Sequence, residues 1–586
     1  MRKVLLIFSI VLCFSLHAEK IVFHMEDYGI TPGNSNLTQL LEKFLETQKK
    51  SIRPGDTVVM KFKRGRYNFY AEGASQREYY VSNHDQSSSK LVVFDIRGWE
   101  NLTIDGSGSD FYFSGTVIPF ALNYTERCTL KNFSIDFIDT KMVPMEIIKS
   151  DTIQGITFRL PPEVKTQISA DSTLYIRGEG WTYQPSAGMA FESQTGRLAY
   201  RVGEFGVNVQ KIRKLTPDTY HAPLWKNAKL KSGMVVAARN WYRPTPAIFL
   251  NECKDTRLQR VTVHYAEGMG LIAQRSENIS LDKFNVCLRK GSKRHFTTHA
   301  DATHFSQCKG KIISRNGLYE GMMDDAINVH GIYLKVHEHI DPHTIICTFG
   351  HSQAWGFNWG NTGDTVQFVN SATMEAVSRN IITGIRPHDR IELRGMHAFR
   401  IQLRDPIDNI IDTGATLGLE NLTWTPEVEF KGNIVRNNRA RGALFSSPRR
   451  TVCERNIFDH VSGTAILLCG DCNGWYESGA CKDLTIRKNK FINCLTNYFQ
   501  FTNAVISIYP EIPMLDQQQE YFHSGISITD NKFVYFDKPL LYAKSVDGLI
   551  FKNNSLSHSN EYAPFHWNKE RFKLERVTNA QIDEPR

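Results

Sequence analysis

Short runs of alternating hydrophobic and polar residues return along this chain at intervals of about two dozen residues. Alternation with a period of two buries one face of a β-strand, and a repeat that cannot bury this face alone must stack on its neighbours. Asparagine recurs near the ends of the runs, where its tolerance of left-handed backbone suits a tight corner. Clear examples are residues 101–106, 128–137, 256–263, 278–285, 308–316, 430–437, 484–491 and 526–533. Because the boundaries mostly lack the type I′ dipeptides that separate hairpins need, the pattern predicts an all-β chain folded as a right-handed parallel β-helix.

Two stretches interrupt this rhythm, residues 140–240 and 332–425, with longer irregular strands and many turn residues. Each contains a short glycine-led, valine-rich segment, at 232–237 and 363–368, and we interpret both stretches as small inserted antiparallel β-barrel regions. Insertions in a solenoid lie on one face and often wall a binding site. Near the start, residues 37–45 have apolar positions at helical spacing, which predicts a helix that caps the open end of the coil.

The predicted organisation follows from these boundaries. It comprises a signal peptide at 1–18, a cap with the first coils at 19–139, a barrel-like region at 140–240, β-helix with candidate carboxylates at 241–331, a second barrel-like region at 332–425, and C-terminal coils with a tail at 426–586.

The N-terminus has the layout of a secretory signal peptide. Arg2 and Lys3 precede an apolar run over residues 4–16, which is too short for a membrane anchor, and Ala18 offers a cleavage point. Cys13 raises the alternative of a lipoprotein, but the bulky Leu12 stands where a small residue is wanted. We therefore expect cleavage near Ala18, release to the periplasm or the medium, and no membrane span.

Charge and cysteine content narrow the function classes further. The net charge of +9 and the pI near 8.8 are mild for 586 residues, and the basic residues are scattered rather than arranged in a stripe for nucleic acid. One cluster holds four of the 11 cysteines, with a single close pair, whereas a zinc site needs paired close spacings. These are Cys469, Cys472, Cys481 and Cys494. We favour small buried residues over a metal site, and a disulfide stays an alternative in an oxidising compartment.

The densest group of titratable residues lies in the middle of the chain. Its members are Asp301, Asp324 and Asp325, together with His299, His304, Glu320, Asn328 and His330. Asp301 and Asp324 are 23 residues apart, which is close to one coil, and neighbouring coils are offset by about 4.8 Å. Equivalent positions on successive coils lie side by side, so we expect the three carboxylates in one cleft and the other five side chains in contact with a substrate there.

Paired carboxylates are the groups that glycoside hydrolysis needs, because one protonates the leaving oxygen and the other activates water or attacks carbon. Mutual repulsion also raises the pKa of one member, which keeps a proton available near neutral pH. Asp324 and Asp325 are adjacent, so both reach the cleft only if the chain bends there, with Met322 and Met323 filling the core inside the bend. Solvated turn aspartates and a calcium site are the alternatives, and the density of the group favours an active site.

Other candidates lie nearer the C-terminus. Trp475, Tyr476 and Glu477 form a loop in which a ring can pack on the apolar face of a sugar while the acid takes hydroxyl groups. Glu511 follows a strand-like segment and either faces the same groove or is a plain surface acid. The polar segment 83–85 is interpreted as structural. The segment 441–449 either supplies polar contacts to a substrate or forms another coil.

Three segments together carry a resemblance to a known family. They are the His-Ala-Asp sequence that ends at Asp301, the Gly-Met-Met-Asp-Asp-Ala-Ile-Asn-Val-His sequence at 321–330, and the Asn-Gly-Trp-Tyr-Glu-Ser-Gly loop at 473–479. In a chain with a signal-like start and a β-helix pattern, they resemble the bacterial α-1,3-galactosidases of glycoside hydrolase family 110. The resemblance extends over nearly the whole mature chain.

The resemblance implies a β-helix with barrel inserts, an inverting mechanism without cofactor, and terminal α-1,3-linked galactose as substrate, typically on glycans of the blood-group B type. It makes Asp301, Asp324 and Asp325 the catalytic candidates. We prefer Asp301 as the acid, with Asp324 or Asp325 positioning water. Inversion would place the working pair roughly 6.5–9.5 Å apart, which leaves room for that water.

Two other functions stay open from the sequence. A calcium-dependent polysaccharide lyase on the same fold would use the aspartates for metal and a basic side chain against an acidic polymer, which the mild charge disfavours. A β-helix that only binds glycans is the second alternative. The expected partner is a glycan with terminal α-galactose, not nucleic acid, and a homo-oligomer is left open.

Overall fold

The computed structural model describes residues 18–85, 87–388, 396–407 and 416–583. The predicted signal peptide lies outside the described residues except for Ala18. Across these ranges, the structure contains no helix with the length and apolar character that crossing a membrane requires.

The chain winds into a parallel β-helix with three faces, which we call sheets 1, 2 and 3. Sheet 1 contains Lys20–His24, Thr57–Lys61, the first parts of Leu102–Ser114, Thr129–Phe137 and Lys254–Val263, then Glu277–Asp282, Lys309–Arg315, Glu427–Lys431, Thr451–Glu454, Leu484–Arg487, His523–Thr529 and the last parts of Leu541–Lys552 and Phe572–Ile582.

Sheet 2 contains Arg66–Tyr70, the second parts of Leu102–Ser114, Thr129–Phe137 and Lys254–Val263, then Asn285–Val286, Leu318–Glu320, Ile434–Arg436, Ile457–Asp459, Lys490–Ile492, Lys532–Tyr535 and Ser555–His558. Sheet 3 contains Ser89–Arg97, Ile118–Asn123, Ile248–Asn251, Leu271–Gln274, Thr303–Ser306, Ile327–Ile332, Ala443–Phe445, Ile466–Leu468, Ile506–Ile508 and the first parts of Leu541–Lys552 and Phe572–Ile582. The predicted parallel β-helix is confirmed.

Side chains of like type stack along the inside of the coil. The rings of Phe458, Phe491 and Phe533 follow one another on sheet 2 with centroids 5.2 and 4.7 Å apart. Stacked rings at this spacing bury a large apolar area on every coil. The alternation that the sequence shows is therefore the alternation between this interior and the solvent.

Asparagines form a buried ladder at the corner between sheets 1 and 2. The backbone N–H of each of the first four asparagines donates to the side-chain oxygen of the following one at 2.9 Å. Their side-chain amides donate to backbone carbonyls of neighbouring coils. The members are Asn433, Asn456, Asn489, Asn531 and Asn554.

At other corners asparagine itself is left-handed, as the sequence predicted, with φ between 51° and 58°: Asn101, Asn316 and Asn437. The ladder corner differs. The left-handed backbone falls on the residue before each ladder asparagine: Gly432, Arg455, Lys488, Asp530 and Asn553, with φ between 55° and 65°. The asparagine is placed there because its amide can satisfy two buried backbone groups. Its tolerance of left-handed φ is not the reason, since residues of several types take that conformation when the ladder holds the chain.

The N-terminal cap contains a short 3₁₀ helix, Met25–Tyr28, and the helix Thr38–Lys49, which confirms the predicted helix and extends it. Its apolar stripe buries Leu41, Phe44 and Leu45, and the ring of Phe44 packs edge-on against Phe23 of the first strand at 5.3 Å. The helix thus covers the apolar interior at the start of the coil.

Two antiparallel units interrupt the coil. The first combines a seven-stranded sheet (Val143–Asp151, Gly155–Arg159, Ala187–Glu192, Glu204–Gly206, Arg213–Lys214, Thr219–Ala222 and Met234–Arg239) with a three-stranded one (Thr166–Ile168, Leu174–Gly178 and Trp181–Tyr183). The second is a closed six-stranded barrel of Leu334–Asp341, Thr344–Phe349, Thr365–Asn370, Ala376–Pro387, Ala398–Leu403 and Leu417–Asn421. Each unit has its own apolar core.

The remaining elements are short. Ser75–Glu78 pairs antiparallel with Ser89–Arg97, Glu477–Ser478 pairs antiparallel with the end of Ile327–Ile332, and Leu515–Gln517 is a 3₁₀ turn. The ten cysteines within the described residues are free thiols, and all but the half-buried Cys287 are buried. This confirms their interpretation as small interior residues.

Candidate active site

Sheet 3 brings the three candidate aspartates together. Asp301 precedes the strand Thr303–Ser306, and Asp324 and Asp325 precede the next strand, Ile327–Ile332. The two strands run in register, and the Ala302 N–H donates to the Asp325 carbonyl at 2.7 Å. One oxygen from each of the three carboxyl groups lies within 4.8 Å of the others.

A bend before the second strand allows neighbouring aspartates to share one side. Gly321 has φ of 69°, and a β-carbon there would lie 3.0 Å from the His295 carbonyl oxygen. Met322 and Met323 follow and are fully buried in the coil interior. The methionines therefore anchor the bend, as the sequence predicted, and leave both carboxyl groups facing outward into the same cavity.

The cavity lies between this end of sheet 3, the first insertion and a C-terminal loop. It contains about 1050 Å³ of space, its open mouth included. Its polar and aromatic lining includes Asn83, Arg239, Trp241, Arg243, His299, Asp301, His304, Asp324, Asp325, Asn328, Arg439, Arg441, Asp471, Trp475, Glu477, Phe499 and Phe501.

Arginines hold two of the three aspartates. Arg441 binds Asp325 with two hydrogen bonds, from Nε at 2.9 Å and from Nη2 at 2.8 Å, and Arg439 donates to Asp324 at 3.3 Å. Burial alone would raise the pKa of Asp324, but the positive charges of Arg439 and Arg441 outweigh it and lower this pKa. Asp324 is therefore ionised at neutral pH.

Asp301 stands in a different environment. Its side chain is 3% exposed, and its Oδ2 lies 2.7 Å from Nδ1 of His304. Burial, reinforced by the charge of Asp324, raises the pKa of Asp301 well above its usual value. Burial also lowers the pKa of His304 to about 4. Burial also raises the pKa of Asp325, against the positive charge of Arg441. Within the trio, the surroundings thus favour the protonated form of Asp301 and Asp325 and the ionised form of Asp324.

A second polar group adjoins the trio. His304 Nε2 lies 2.8 Å from His330 Nε2, and His330 Nε2 lies 3.5 Å from Glu477 Oε1. The Asn83 amide donates to the same Glu477 oxygen at 3.4 Å. Burial raises the pKa of Glu477, but the attraction of His330 and His304 outweighs this, so the pKa is lowered and the carboxylate stays charged.

The loop that carries Trp475 is shaped by Asp471. The Asp471 carboxylate accepts the backbone N–H groups of Asn473 and Gly474 at 2.7 and 2.9 Å, and that of Trp475 as well. The indole ring then stacks on His351 with centroids 4.2 Å apart. An aromatic wall fixed in this way is a suitable surface for the apolar face of a sugar ring.

Four residues expected to bind substrate do not line the cavity: Glu320, His330, Tyr476 and Glu511. Glu320 ends a strand of sheet 2, where Arg436 Nε donates to its Oε1 at 2.8 Å. Tyr476 packs its ring against Gly350 of the barrel, because its φ of 58° turns it away from Trp475. Glu511 is half-buried beside Asp471 and Lys544. His299 does line the cavity, with Nε2 3.0 Å from the Tyr265 hydroxyl.

Several cavity residues escaped the sequence interpretation. Asn83 belongs to the segment interpreted as structural, and Arg239 and Arg439 both bind Glu204 of the first insertion, at 2.6 and 3.0 Å. Arg441 stood in a segment with two interpretations. The sequence carried no direct signal for these arginines. Their role becomes clear only once the three carboxylates are known to cluster, because such a cluster requires compensating positive charge.

The carboxyl separation differs from the expectation for an inverting pair. The nearest oxygens of the three aspartates lie within 4.8 Å of one another, which is shorter than the 6.5–9.5 Å that the sequence argument used. The reason is the in-register pairing of adjacent coils, which places the two segments side by side on neighbouring strands, and the arginines, which draw the carboxylates together.

Comparison with known sequences places this architecture in a family. The description GLAA-B beta-barrel domain I matches residues 144–236, and GLAA-B beta-barrel domain II matches residues 344–409, so both matches fall on the inserted antiparallel units. Among solved structures, the mannuronan C-5 epimerase AlgE6 A-module of Azotobacter vinelandii has a TM-score of 0.39 at 8% identity, covering 96% of this chain and 100% of that one.

Curated relatives match over nearly the full length. Alpha-1,3-galactosidase B of Bacteroides fragilis is 52% identical, covering 99% of this chain and 100% of its own. Alpha-1,3-galactosidase B of Phocaeicola vulgatus is also 52% identical, over 100% of this chain and 98% of its own, and the Akkermansia muciniphila relative is 36% identical over 96% and 69%. The chain therefore belongs to the α-1,3-galactosidase family of glycoside hydrolases.

Proposed function

We propose that this enzyme removes single terminal α-1,3-linked galactose residues from glycans, including those of the blood-group B type, by acid and base catalysis at Asp301, Asp324 and Asp325. The observation that carries the proposal is the meeting of three carboxyl groups within 4.8 Å, inside an open cavity, in a chain 52% identical to an α-1,3-galactosidase. Action at the ends of glycan chains is supported by the walls of the cavity, because the first insertion and the loop of Trp475 both contribute to its lining.

The proposed chemistry uses the unequal ionisation of the trio. Asp301, whose pKa is raised, donates its proton to the leaving oxygen, while Asp324, whose pKa is lowered, accepts a proton from the attacking water. Each role follows from the state that the surroundings favour. Arg441 keeps Asp325 in place and supplies positive charge beside the attacking water.

The stereochemical course that we propose is inversion. One oxygen of each carboxyl group lies within 4.8 Å of the others, so two of them can accept hydrogen bonds from one water, since each such bond is roughly 2.7–2.8 Å long. Two carboxylates can therefore orient one water while the third serves the leaving group. Direct displacement by that water inverts the anomeric carbon, and the family resemblance points to the same course.

The first experiment is hydrolysis of a panel of α-galactosides, with the anomer of released galactose followed by NMR. We expect β-galactose from terminal α-1,3 linkages and little release from other linkages. Release of α-galactose would contradict inversion, and equal rates on all linkages would contradict the substrate class. The same panel compares branched fucosylated with linear α-1,3-galactosides.

A second experiment assigns the roles within the trio. Asp301→Asn, Asp324→Asn and Asp325→Asn should each lower kcat/KM by about 10²–10⁴-fold in a chain that still folds, although Asp325→Asn also loses the ion pair with Arg441 and should unfold at a lower temperature. An aryl galactoside with a good leaving group should restore activity to the acid variant, expected to be Asp301→Asn, and azide should restore the base variant. Glu511→Gln, which alters a carboxylate outside the cavity, is the matched control. Rescue in the opposite pattern would exchange the two roles.

We further propose that the mature protein begins near Glu19 after removal of the signal peptide and acts outside the cytoplasm. The layout of residues 2–18 supports this. Expression with the native start followed by N-terminal sequencing of the exported protein tests it, and an N-terminus that retains Arg2 and Lys3 would contradict it.

A further inference from the structure

Two aromatic rings stand against the two arginines that Glu204 joins. Glu204 accepts hydrogen bonds from Arg239 Nη2 at 2.6 Å and from Arg439 Nη2 at 3.0 Å. The guanidinium carbon of Arg239 lies 5.0 Å from the centroid of the Trp241 ring. That of Arg439 lies 5.1 Å from the centroid of the Phe499 ring. A guanidinium is attracted to an aromatic face at this distance, so one ion network supports a ring at each of its ends.

Trp241 lies at the mouth of the cavity and not at its deep end. It follows the last strand of the first insertion, Met234–Arg239, and it lines the cavity while 58% exposed. Asp301 and Asp325 line the same cavity and are only 3% and 1% exposed. Because tryptophan is highly buried on average, an indole left in water beside buried carboxyl groups marks a surface that a ligand can cover.

The segment that carries Trp241 is fixed in place. The Arg243 N–H donates to Asp85 Oδ2 at 2.9 Å, and the Asp85 N–H donates to the Arg243 carbonyl at 3.2 Å. The buried Lys90 donates from Nζ to the Pro244 carbonyl at 2.7 Å. A ring on a segment held in this way needs little further ordering when a ligand binds, which lowers the entropic cost of binding.

We propose that Trp241, with Phe499 beside it, binds the second sugar of the glycan, the one to which the terminal galactose is attached. This inference rests on the proposed function: when the terminal galactose occupies the buried carboxyl groups, the next sugar extends towards the solvent, where Trp241 lies. A pyranose ring presents C–H groups on its face and hydroxyl groups at its edge, so an indole packs on that face.

The surroundings of the two rings favour a neutral sugar over an acidic one. Arg239 is committed to Glu204 and to the His299 carbonyl, which it reaches from Nη1 at 3.0 Å. Arg439 is committed to Glu204 and Asp324. Both positive charges are therefore compensated within the protein, and what the mouth offers the second sugar is aromatic surface.

The test compares two substrates that share the terminal galactose and differ beyond it. Galactosyl-α-1,3-galactose has a second sugar, and α-galactosyl fluoride has none. In Trp241→Ala we expect kcat/KM for the disaccharide to fall about five- to tenfold, as loss of an aromatic contact implies, and kcat/KM for the fluoride to stay within about twofold. Trp241→Phe should recover part of the loss, and Phe499→Ala should show the same pattern with a smaller loss.

Tyr242→Ala and Trp567→Ala are the matched controls. Tyr242 is the chain neighbour of Trp241 and is 67% exposed, but it does not line the cavity. Trp567 is 52% exposed and has its own cation, Lys573 Nζ, 5.0 Å from its ring centroid, away from the cavity. Both variants should match the wild type on both substrates.

Three results would overturn the second-sugar site. Equal losses on the disaccharide and the fluoride in Trp241→Ala would mean that the ring only shapes the cavity. Unchanged rates on both would mean that it contacts no sugar. A smaller molecular mass than wild type in light scattering would assign the exposed ring to an interface between copies of this chain. In each case the wild type still hydrolyses both substrates, whereas a wild type that hydrolysed neither would contradict the galactosidase proposal and this site together.

Discussion

The Arg441 side chain binds Asp325 through two nitrogens, Nε to Oδ1 at 2.9 Å and Nη2 to Oδ2 at 2.8 Å. The Asp325 side chain is only 1% exposed. A buried carboxylate with a bidentate guanidinium depends on that partner, because removing one charge leaves the other uncompensated. The pair also joins two coils, since 116 residues separate its members.

Loss of this pair should therefore affect both folding and activity. Arg441→Leu is expected to lower the free energy of unfolding by about 3 kcal/mol and kcat/KM by at least about 100-fold, whereas Arg441→Lys should recover most stability but little activity. Thermal unfolding and steady-state kinetics measure the two effects. Arg455→Leu, which removes an exposed guanidinium paired with Glu454, should change little. Wild-type stability in Arg441→Leu would contradict the account.

Glu420 predicts a pH-dependent stability. This barrel residue is 3% exposed, and burial raises its pKa to about 7. Because the folded protein holds this proton more tightly than the unfolded chain, the stabilisation is complete below the unfolded pKa and is lost as pH rises towards 7. Glu420→Gln should gain up to about 3 kcal/mol relative to wild type between pH 5 and pH 8. Melting temperatures at both pH values measure it, and Glu338→Gln, exposed on the same barrel, should show no such difference.

The asparagine ladder makes a prediction about the coil. Asn489→Ala removes the acceptor of both the backbone and the side-chain amide of Asn456, each at 2.9 Å, and the donor to the Cys453 carbonyl. Leaving these groups unpaired in the interior should cost about 2–4 kcal/mol. Denaturant unfolding tests this, with the exposed Asn34→Ala as control. If Asn489→Ala lost less free energy of unfolding than Asn34→Ala, water would be replacing the Asn489 side-chain amide.

Trp475 predicts a binding effect. The ring lines the cavity and is held by its stack on His351, so Trp475→Ala should raise KM by about tenfold and change kcat less. Trp475→Phe should recover part of the loss. Trp355, which stacks on His397 at 3.8 Å and does not line the cavity, is the matched control. If Trp355→Ala raised KM equally, the effect of Trp475→Ala would come from disturbance of the barrel and not from a lost contact with the sugar.

Removal of metal should leave the activity unchanged. Three carboxylates converge as a calcium site would, but Arg439 and Arg441 occupy the surroundings of Asp324 and Asp325 and already neutralise them. Incubation with a chelator followed by assay is the measurement. Loss of activity that calcium restores, with an unsaturated sugar as product, would favour a polysaccharide lyase instead.

Much of the coil could be predicted because its cause is local. Alternation between apolar and polar residues can be recognised from a few consecutive positions. Stacking of coils follows, since a single strand cannot bury its apolar face alone. Proximity of Asp301 to the Asp324–Asp325 bend also followed, because one coil returns the chain to the same place. The corner chemistry was harder, since the left-handed residue and the ladder asparagine are adjacent and only hydrogen-bond partners distinguish them.

The sequence by itself determined the coil, the two interruptions and which residues could supply acid and base, because these depend on spacing along the chain. Only the tertiary structure decided which of them share a cavity. Glu320 belongs to another face of the coil, and Arg239 and Asn83 arrive from distant segments. It also decided which carboxyl group has a raised pKa and which a lowered one, because this depends on burial and on nearby charges, and the arginine that bonds Asp324 lies more than a hundred positions from it.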